Sequence, residues 1–253
     1  MRKLAATVAT FLALTAPAAA QAPGSGRLEA PRLVATGTDF VVKGSRATPG
    51  APVVVQIRRA GRWRRLGARR ANHRGRYRLR VKPDRTAARY RLRAKTPGAA
   101  PSRVRTVRSR AVTLRAVGDI NLGNGVASVM NMRGFRYPWS GVARELSAAD
   151  VAFGNLECAV SKRGFAIPGK QYTFRGRPAA LRTAARYAGM DVLNLANNHS
   201  GDFGRAALSD TLAWTRRFGM VAVGAGRNLA AARKPRSVTR FGLRIAFVGF
   251  SDI

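Results

Sequence analysis

Between residues 32 and 110 apolar and polar positions alternate with a period of two. In "GRYRLRVKP" Tyr77, Leu79 and Val81 fall on one side, and Arg76, Arg78, Arg80 and Lys82 on the other. "ARYRLRA" repeats the pattern with Tyr90, Leu92 and Ala94. A period of two with one charged side predicts antiparallel sheet, one face packed and one wet. "RLVATG", "DFVVKGS", "APVVVQIRRA", "GRWRRLGARRA" and "SRVRTVRS" supply further strands, and "TPGAP", "NHRG" and "TPGAA" supply turns. Seven short strands in this span predict an all-β sandwich. Trp63 reads as core and His73 as a turn residue.

Past residue 110 the period changes. "AVTLRAVGD", "DVAFGNLE", "MDVLNLANN" and "MVAVGAG" read as buried strands. They alternate with helical patterns in "YPWSGVARELSAA", "RPAALRTAARYAG" and "FGRAALSDTLAWTRRFG", the last two closed by Gly189 and Gly219. "RSVTRFGLRIAFVGFSD" reads as a hairpin turning near Phe241 and Gly242. This is the grammar of an α/β layered domain. The division expected is a signal segment at 1–20, a linker at 21–31, a basic β-domain at 32–110 whose alternation resembles the immunoglobulin-like modules of exported bacterial proteins, and an α/β domain at 111–253.

Three strands of the second half end alike, in an apolar run followed by carboxylates or amides. They deliver Asp119, then Asn155 and Glu157, then Asn198 and His199. In α/β sheets ligands bind beyond the carboxyl ends of the strands, where side chains from separate strands converge. Asp, Glu and Asn offer hard oxygen donors and His adds nitrogen, a set suited to Mn²⁺ or Mg²⁺ or, with more imidazole, to Zn²⁺ or Fe. Asp202 either orients His199 or caps the helix that follows. Arg175, in "QYTFRG", either pairs an anionic substrate or lies in an exposed loop. "VGAGRNLA" lacks the third glycine of a dinucleotide loop, since Leu229 occupies that place, and reads as a strand-to-helix turn.

Charge narrows the partners. The formal charge is +36, with arginine far outnumbering lysine among 47 basic residues. Such a surface attracts polyanions: nucleic acid, anionic lipid, or anionic wall and capsule polymers. Arg2 and Lys3, an apolar run from Leu4 to Leu14 and the small residues ending at Ala20 read as a cleaved signal peptide. That predicts a secreted or cell-surface protein, favours a surface polymer or the cell wall as partner, and moves nucleic acid down the list. No other stretch reaches membrane-spanning length. Cys158 is the only cysteine, so no intramolecular disulfide forms.

"AVGDINLG", "AADVAFGNLEC", "YTFRG", "AGMDVLNLANNHSGDFG", "GMVAVGAGRNLAAARKP" and "GLRIAFVGFSD", in this order and spacing over about residues 113–253, resemble the CapA family. That family is associated with poly-γ-glutamate capsule synthesis and belongs to the calcineurin-like metallophosphatase superfamily. The resemblance implies a metallophosphatase-like fold and a site of two divalent cations, with Mn, Zn, Fe and Mg not distinguished. By it Asp119, a bridging Glu157 and Asn198 are metal ligands, and Asn121, Asn155 and Asn197 stand behind them. His199 would act on the leaving group and Asp202 would orient its imidazole. The superfamily's Asp-x-His start is Asp119-Ile120-Asn121 here, and no histidine follows His199. The expectation is therefore the N-terminal part of a longer domain. It would serve either metal-dependent hydrolysis or transfer in surface-polymer synthesis, or non-catalytic polyanion binding with a degenerate site.

Overall fold

The computed structural model describes residues 26–83 and 88–252. The predicted signal peptide lies outside them. The first strands are β1 (Arg27–Glu29), β2 (Leu33–Ala35), β3 (Phe40–Ser45), β4 (Pro52–Arg59), β5 (Arg62–Arg70), β6 (Tyr77–Val81), β7 (Arg89–Lys95) and β8 (Arg105–Arg110). There follow β9 (Leu114–Ile120), α1 (Asn124–Arg133), a 3₁₀ turn (Tyr137–Trp139), α2 (Ala143–Ser147), β10 (Val151–Leu156), β11 (Ala159–Val160) and β12 (Arg175–Gly176). The last are α3 (Pro178–Arg186), β13 (Val192–Asn194), α4 (Gly204–Arg217), β14 (Val221–Val223), α5 (Leu229–Ala232), β15 (Arg236–Arg240) and β16 (Leu243–Phe247). A β-rich region of largely antiparallel pairing thus precedes a parallel α/β segment.

The chain groups into two compact units. Of the described residues, the smaller holds 26–30 with Val42–Leu79 and Arg91–Arg105. In it β1 pairs antiparallel with β3, and β4 pairs antiparallel with both β5 and β7. The period-two pattern explains the packing: Val53, Val55, Ile57, Leu92 and Ala94 are buried, while the alternate positions are half-buried Val54 and Gln56 on β4 and Arg91 and Arg93 on β7. All seven predicted strands form. Strand β1 falls in the stretch read as linker, which is therefore partly ordered structure. Trp63, read as core, is only half-buried and carries the Arg93 guanidinium over its ring at 4.2 Å.

The larger unit holds Pro31–Val41, Arg80–Tyr90 and the chain from Thr106 onward. Here β2 runs parallel to β8. The central sheet has the order β14-β13-β10-β9, every neighbouring pair parallel. Val151, Leu156, Val192 and Leu193 of its inner strands are fully buried, as the near-continuous apolar runs require. Helix α3 opens with Pro178 in its first turn and buries Ala180, Leu181 and Ala184. The segment read as one helix over "YPWSGVARELSAA" is instead a 3₁₀ turn and the short α2, broken around Gly141. Strands β15 and β16 form the expected antiparallel hairpin, with Phe241 and Gly242 both at positive φ, as a two-residue turn of this hand demands. No helix among the described residues is long and apolar enough to cross a membrane.

Candidate functional site

Register places the polar strand ends side by side. Asn155 on β10 lies opposite Asp119 on β9 and opposite Asn194 on β13. Between Phe153 and Asn155 the β9–β10 register slips, so that β9 spends one more residue than β10. This β-bulge re-aims the end of β9 and brings Asp119 level with Asn155. The Asn155 side chain then ties the row together. Its Nδ2 donates to Asp119 Oδ1 at 2.8 Å and to Glu157 Oε2, and its Oδ1 accepts from Nδ2 of Asn194 and of Asn197, each at 2.9 Å. Two carboxylates converge on a single amide group, an arrangement that concentrates negative charge at the carboxyl edge of the sheet.

Beyond β13 the chain turns through Asn197, Asn198, His199 and Ser200. Asn197 Oδ1 accepts from the backbone N–H of His199 at 3.0 Å and of Ser200 at 2.9 Å, which fixes the turn. The His199 ring is nearly buried and stacks on Phe174 at 4.1 Å. Its Nδ1 donates to Asp202 Oδ2 at 2.7 Å, which leaves Nε2 facing Glu157 Oε1 at 4.0 Å. Asp202 is fully buried and satisfied on every side: the backbone N–H of Phe174 donates to Oδ2 at 2.7 Å, and Lys170 Nζ donates to Oδ1. Helix α4 has no side-chain cap, so of the two roles open to Asp202 the structure takes the imidazole.

The remaining predicted residues divide. Asp119 is exposed at the sheet edge, and Glu157 sits half-buried between Asn155 and His199. Asn198 is exposed, its side chain making no hydrogen bond among the described residues, and it lines a cleft of about 830 Å³ together with Arg205, Arg227 and Arg233. Asn121 turns away into local structure, its Oδ1 accepting from the Gly123 N–H at 2.8 Å just ahead of α1. Arg175 is engaged within the fold: it donates to Gly164 O at 2.7 Å and lies 3.7 Å above the Phe203 ring. The structure also brings in Asn194 and Lys170. Asn194 shows in the sequence as the one polar interruption of an apolar run; nothing local marks Lys170. Cys158 is fully buried, and burial pushes its thiol up to about 12, far from nucleophilic use.

The donor chemistry of Asp119 and Glu157, two carboxylates sharing one amide beside an imidazole, fits a hard divalent cation better than any apolar ligand. Among the described residues no group of three His, Cys, Asp or Glu side chains is close enough to hold a metal, so a ligand set here would have to draw on amides as well.

The fold is a β-rich region followed by a parallel α/β segment, with polar side chains gathered at the carboxyl end of its sheet. The chain belongs to the family described as bacterial capsule synthesis protein PGA_cap, whose model matches residues 113–253. Similar proteins include the capsule biosynthesis protein CapA of Bacillus anthracis, 31% identical over 144 residues, which cover 56% of this chain and 35% of that protein. The PGA biosynthesis protein CapA of Bacillus subtilis is 29% identical over 163 residues, 64% of this chain and 41% of that protein. A probable polyglutamine synthesis accessory protein of Mycobacterium tuberculosis is 37% identical over 119 residues, 46% of this chain and 30% of that protein. The chain thus spans well under half the length of these relatives. Among solved structures, the sensor domain of the anti-sigma factor RsgI4 of Pseudobacteroides cellulosolvens overlaps 37% of this chain and 100% of that chain at 12% identity and a TM-score of 0.30, too slight a likeness to bear on fold or function.

Proposed function

We propose that this chain is an exported, CapA-like protein of poly-γ-glutamate-type capsule synthesis whose α/β part carries a metallophosphoesterase-like site. The observation that carries the reading is the row Asp119–Asn155–Asn194 with Glu157 and His199 at its rim. In this reading Asp119, Glu157 and Asn198 hold divalent cations, Mn, Zn, Fe or Mg. A cation so held would make bound water nucleophilic and offset charge developing on a phosphoester or polymer group. His199 is oriented by Asp202 so that Nε2 faces the site and can hold or pass a proton. Arg205, Arg227 and Arg233 give the adjoining cleft a positive wall for an anionic substrate. The N-terminal β-region is read as an immunoglobulin-like sandwich (residues 32–110) that keeps the protein by an anionic polymer or the wall, after a signal peptide at 1–20.

A second reading is a non-catalytic polyanion-binding surface protein, favoured by the committed Asn121 and by the lack of a three-group metal cluster among the described residues. Metal analysis and hydrolysis assays separate the two. The first reading expects Mn²⁺ or Zn²⁺ to bind in stoichiometric amounts, and Asp119→Ala and Asn198→Ala to lower both metal content and phosphodiester hydrolysis. If both variants match the parent in both measurements, the enzymatic reading is lost.

A further inference from the structure

We infer that the groove bounded by β3, β6 and the turn at residues 72–76 is a binding site for a flexible polycarboxylate chain, read through arginine. The groove encloses about 590 Å³ and is lined by Lys43, Arg69, Arg70, Arg76 and Arg78, with Glu29 as its lone acid. Glu29 already pairs with Arg27 at 3.4 Å. Among the described residues no acid pairs with Lys43, Arg69, Arg76 or Arg78, so the lining keeps its positive field. A concave wall of one sign focuses that field in a way the open sheet faces do not.

The backbone that carries Arg76 and Arg78 is held in place before any ligand arrives. Asn72 Oδ1 accepts from the N–H of Arg74 at 3.0 Å and of Arg76 at 2.9 Å, and the Asn72 N–H donates to Arg76 O at 2.9 Å. Gly75, at φ +64, sits where a Cβ would lie 2.3 Å from Ala47 O, and its own carbonyl accepts from the Ala47 N–H at 3.1 Å. The turn is therefore pinned to its neighbour, and Tyr77 packs inward flat against Gly44. With Tyr77 facing inward, Arg76 and Arg78 project to the same side, about 6.6 Å apart along the strand. A fixed backbone beneath the arginines lowers part of the ordering cost of binding, and each guanidinium can take a carboxylate through two parallel hydrogen bonds. The volume suits a few units of an unbranched chain and is too small for a nucleic acid duplex. The site is separate from the sheet edge described above, but the choice of a carboxylate polymer rests on the poly-γ-glutamate reading.

The test must separate this groove from the general attraction of a chain with charge +36. A fluorescein-labelled γ-glutamate decamer, titrated against the full chain and read by anisotropy, is the probe. The triple variant Lys43→Gln/Arg76→Gln/Arg78→Gln should weaken binding on the order of tenfold or more. The control Arg62→Gln/Arg64→Gln/Arg91→Gln removes the same charge from exposed positions outside the groove and should weaken it far less. The double variant Arg76→Lys/Arg78→Lys keeps charge and fold, and should lose affinity because the paired hydrogen bonds are gone. Equal losses in triple variant and control, or full affinity in Arg76→Lys/Arg78→Lys, would overturn the proposal. A parent that binds a polyphosphate of equal length but not the decamer overturns the carboxylate assignment. The metal and hydrolysis assays on Asp119→Ala and Asn198→Ala report independently on the site at the sheet edge.

Discussion

Asp202 shows how much one side chain organises here. It is 0% exposed, yet it carries three kinds of partner: an imidazole, a backbone amide and an ammonium. A buried carboxylate persists only where its lone pairs are filled in this way. The carboxylate also sets the tautomer of His199, since an acceptor at Nδ1 places the proton there and leaves Nε2 open toward Glu157. Asp202→Asn keeps the shape and loses the charge, and its amide N–H₂ can donate to Nδ1 instead. We expect the variant to move the proton to Nε2, visible as an exchange of the two imidazole ¹⁵N shifts in long-range ¹H–¹⁵N spectra. Asp202→Ala should go further and cost about 3 kcal/mol of stability in urea, because Lys170 and the Phe174 N–H lose their shared partner. Unchanged ¹⁵N shifts in Asp202→Asn would mean that another group fixes the ring.

At the scale of elements, what was legible in the sequence is what local pattern alone determines. Strands β6 and β7 announce themselves because each has one dry face and one arginine face. The hairpin at Phe241–Gly242 is legible because its turn needs positive φ twice. Helix α1 is not, since Met130 is its only fully buried residue and apolar residues such as Val126, Val129 and Met132 fall all round it. Strands β11 and β12 pair over two residues each, too few for any period. That Asp119, Asn155, Glu157 and His199 lie near one another is legible from their places at strand ends, but the bonds that join them are not. That Asn155 joins two carboxylates depends on a register slip, and that Lys170 reaches Asp202 depends on contact across 32 residues. The bulge itself rests on close packing: a Cβ on Gly154 would lie 2.5 Å from Ile120 Cδ1 and 2.9 Å from Val117 Cγ2. Gly154→Ala should therefore cost about 2 kcal/mol through overpacking and disturb the Asp119–Asn155 pairing. Gly201→Ala, with nothing within 4 Å of the new methyl and no positive φ, should shift the urea midpoint little. Equal midpoints for the two variants would show that β9 yields at the bulge without loss.

For the whole molecule the decisive quantity is the imbalance of 47 basic against 11 acidic residues. Each carboxylate that stays ionised relieves repulsion, and some are tied to particular cations. The Arg163 guanidinium, then the Ser161 hydroxyl, bring Asp210 down to about 2. Arg110, followed by the backbone and side chain of Thr113, holds Asp150 well below the usual carboxylate range. A group whose pKa is lower folded than unfolded stabilises the fold above the unfolded value, about 3.9 for Asp. That contribution disappears as the pH falls toward the folded value, because the unfolded chain takes up the proton first. Stability should thus be level from neutral pH to about pH 4 and fall steeply between about pH 4 and 2, a range in which protonation also leaves the basic residues uncompensated. Asp210→Asn removes one of these linked protons. Urea titrations at stepped pH should show the variant less stable than the parent at neutral pH and with a shallower acid limb, the two curves approaching each other near pH 2. Parallel curves over the whole range would mean that general repulsion, and not the Arg163–Asp210 contact, governs the acid response.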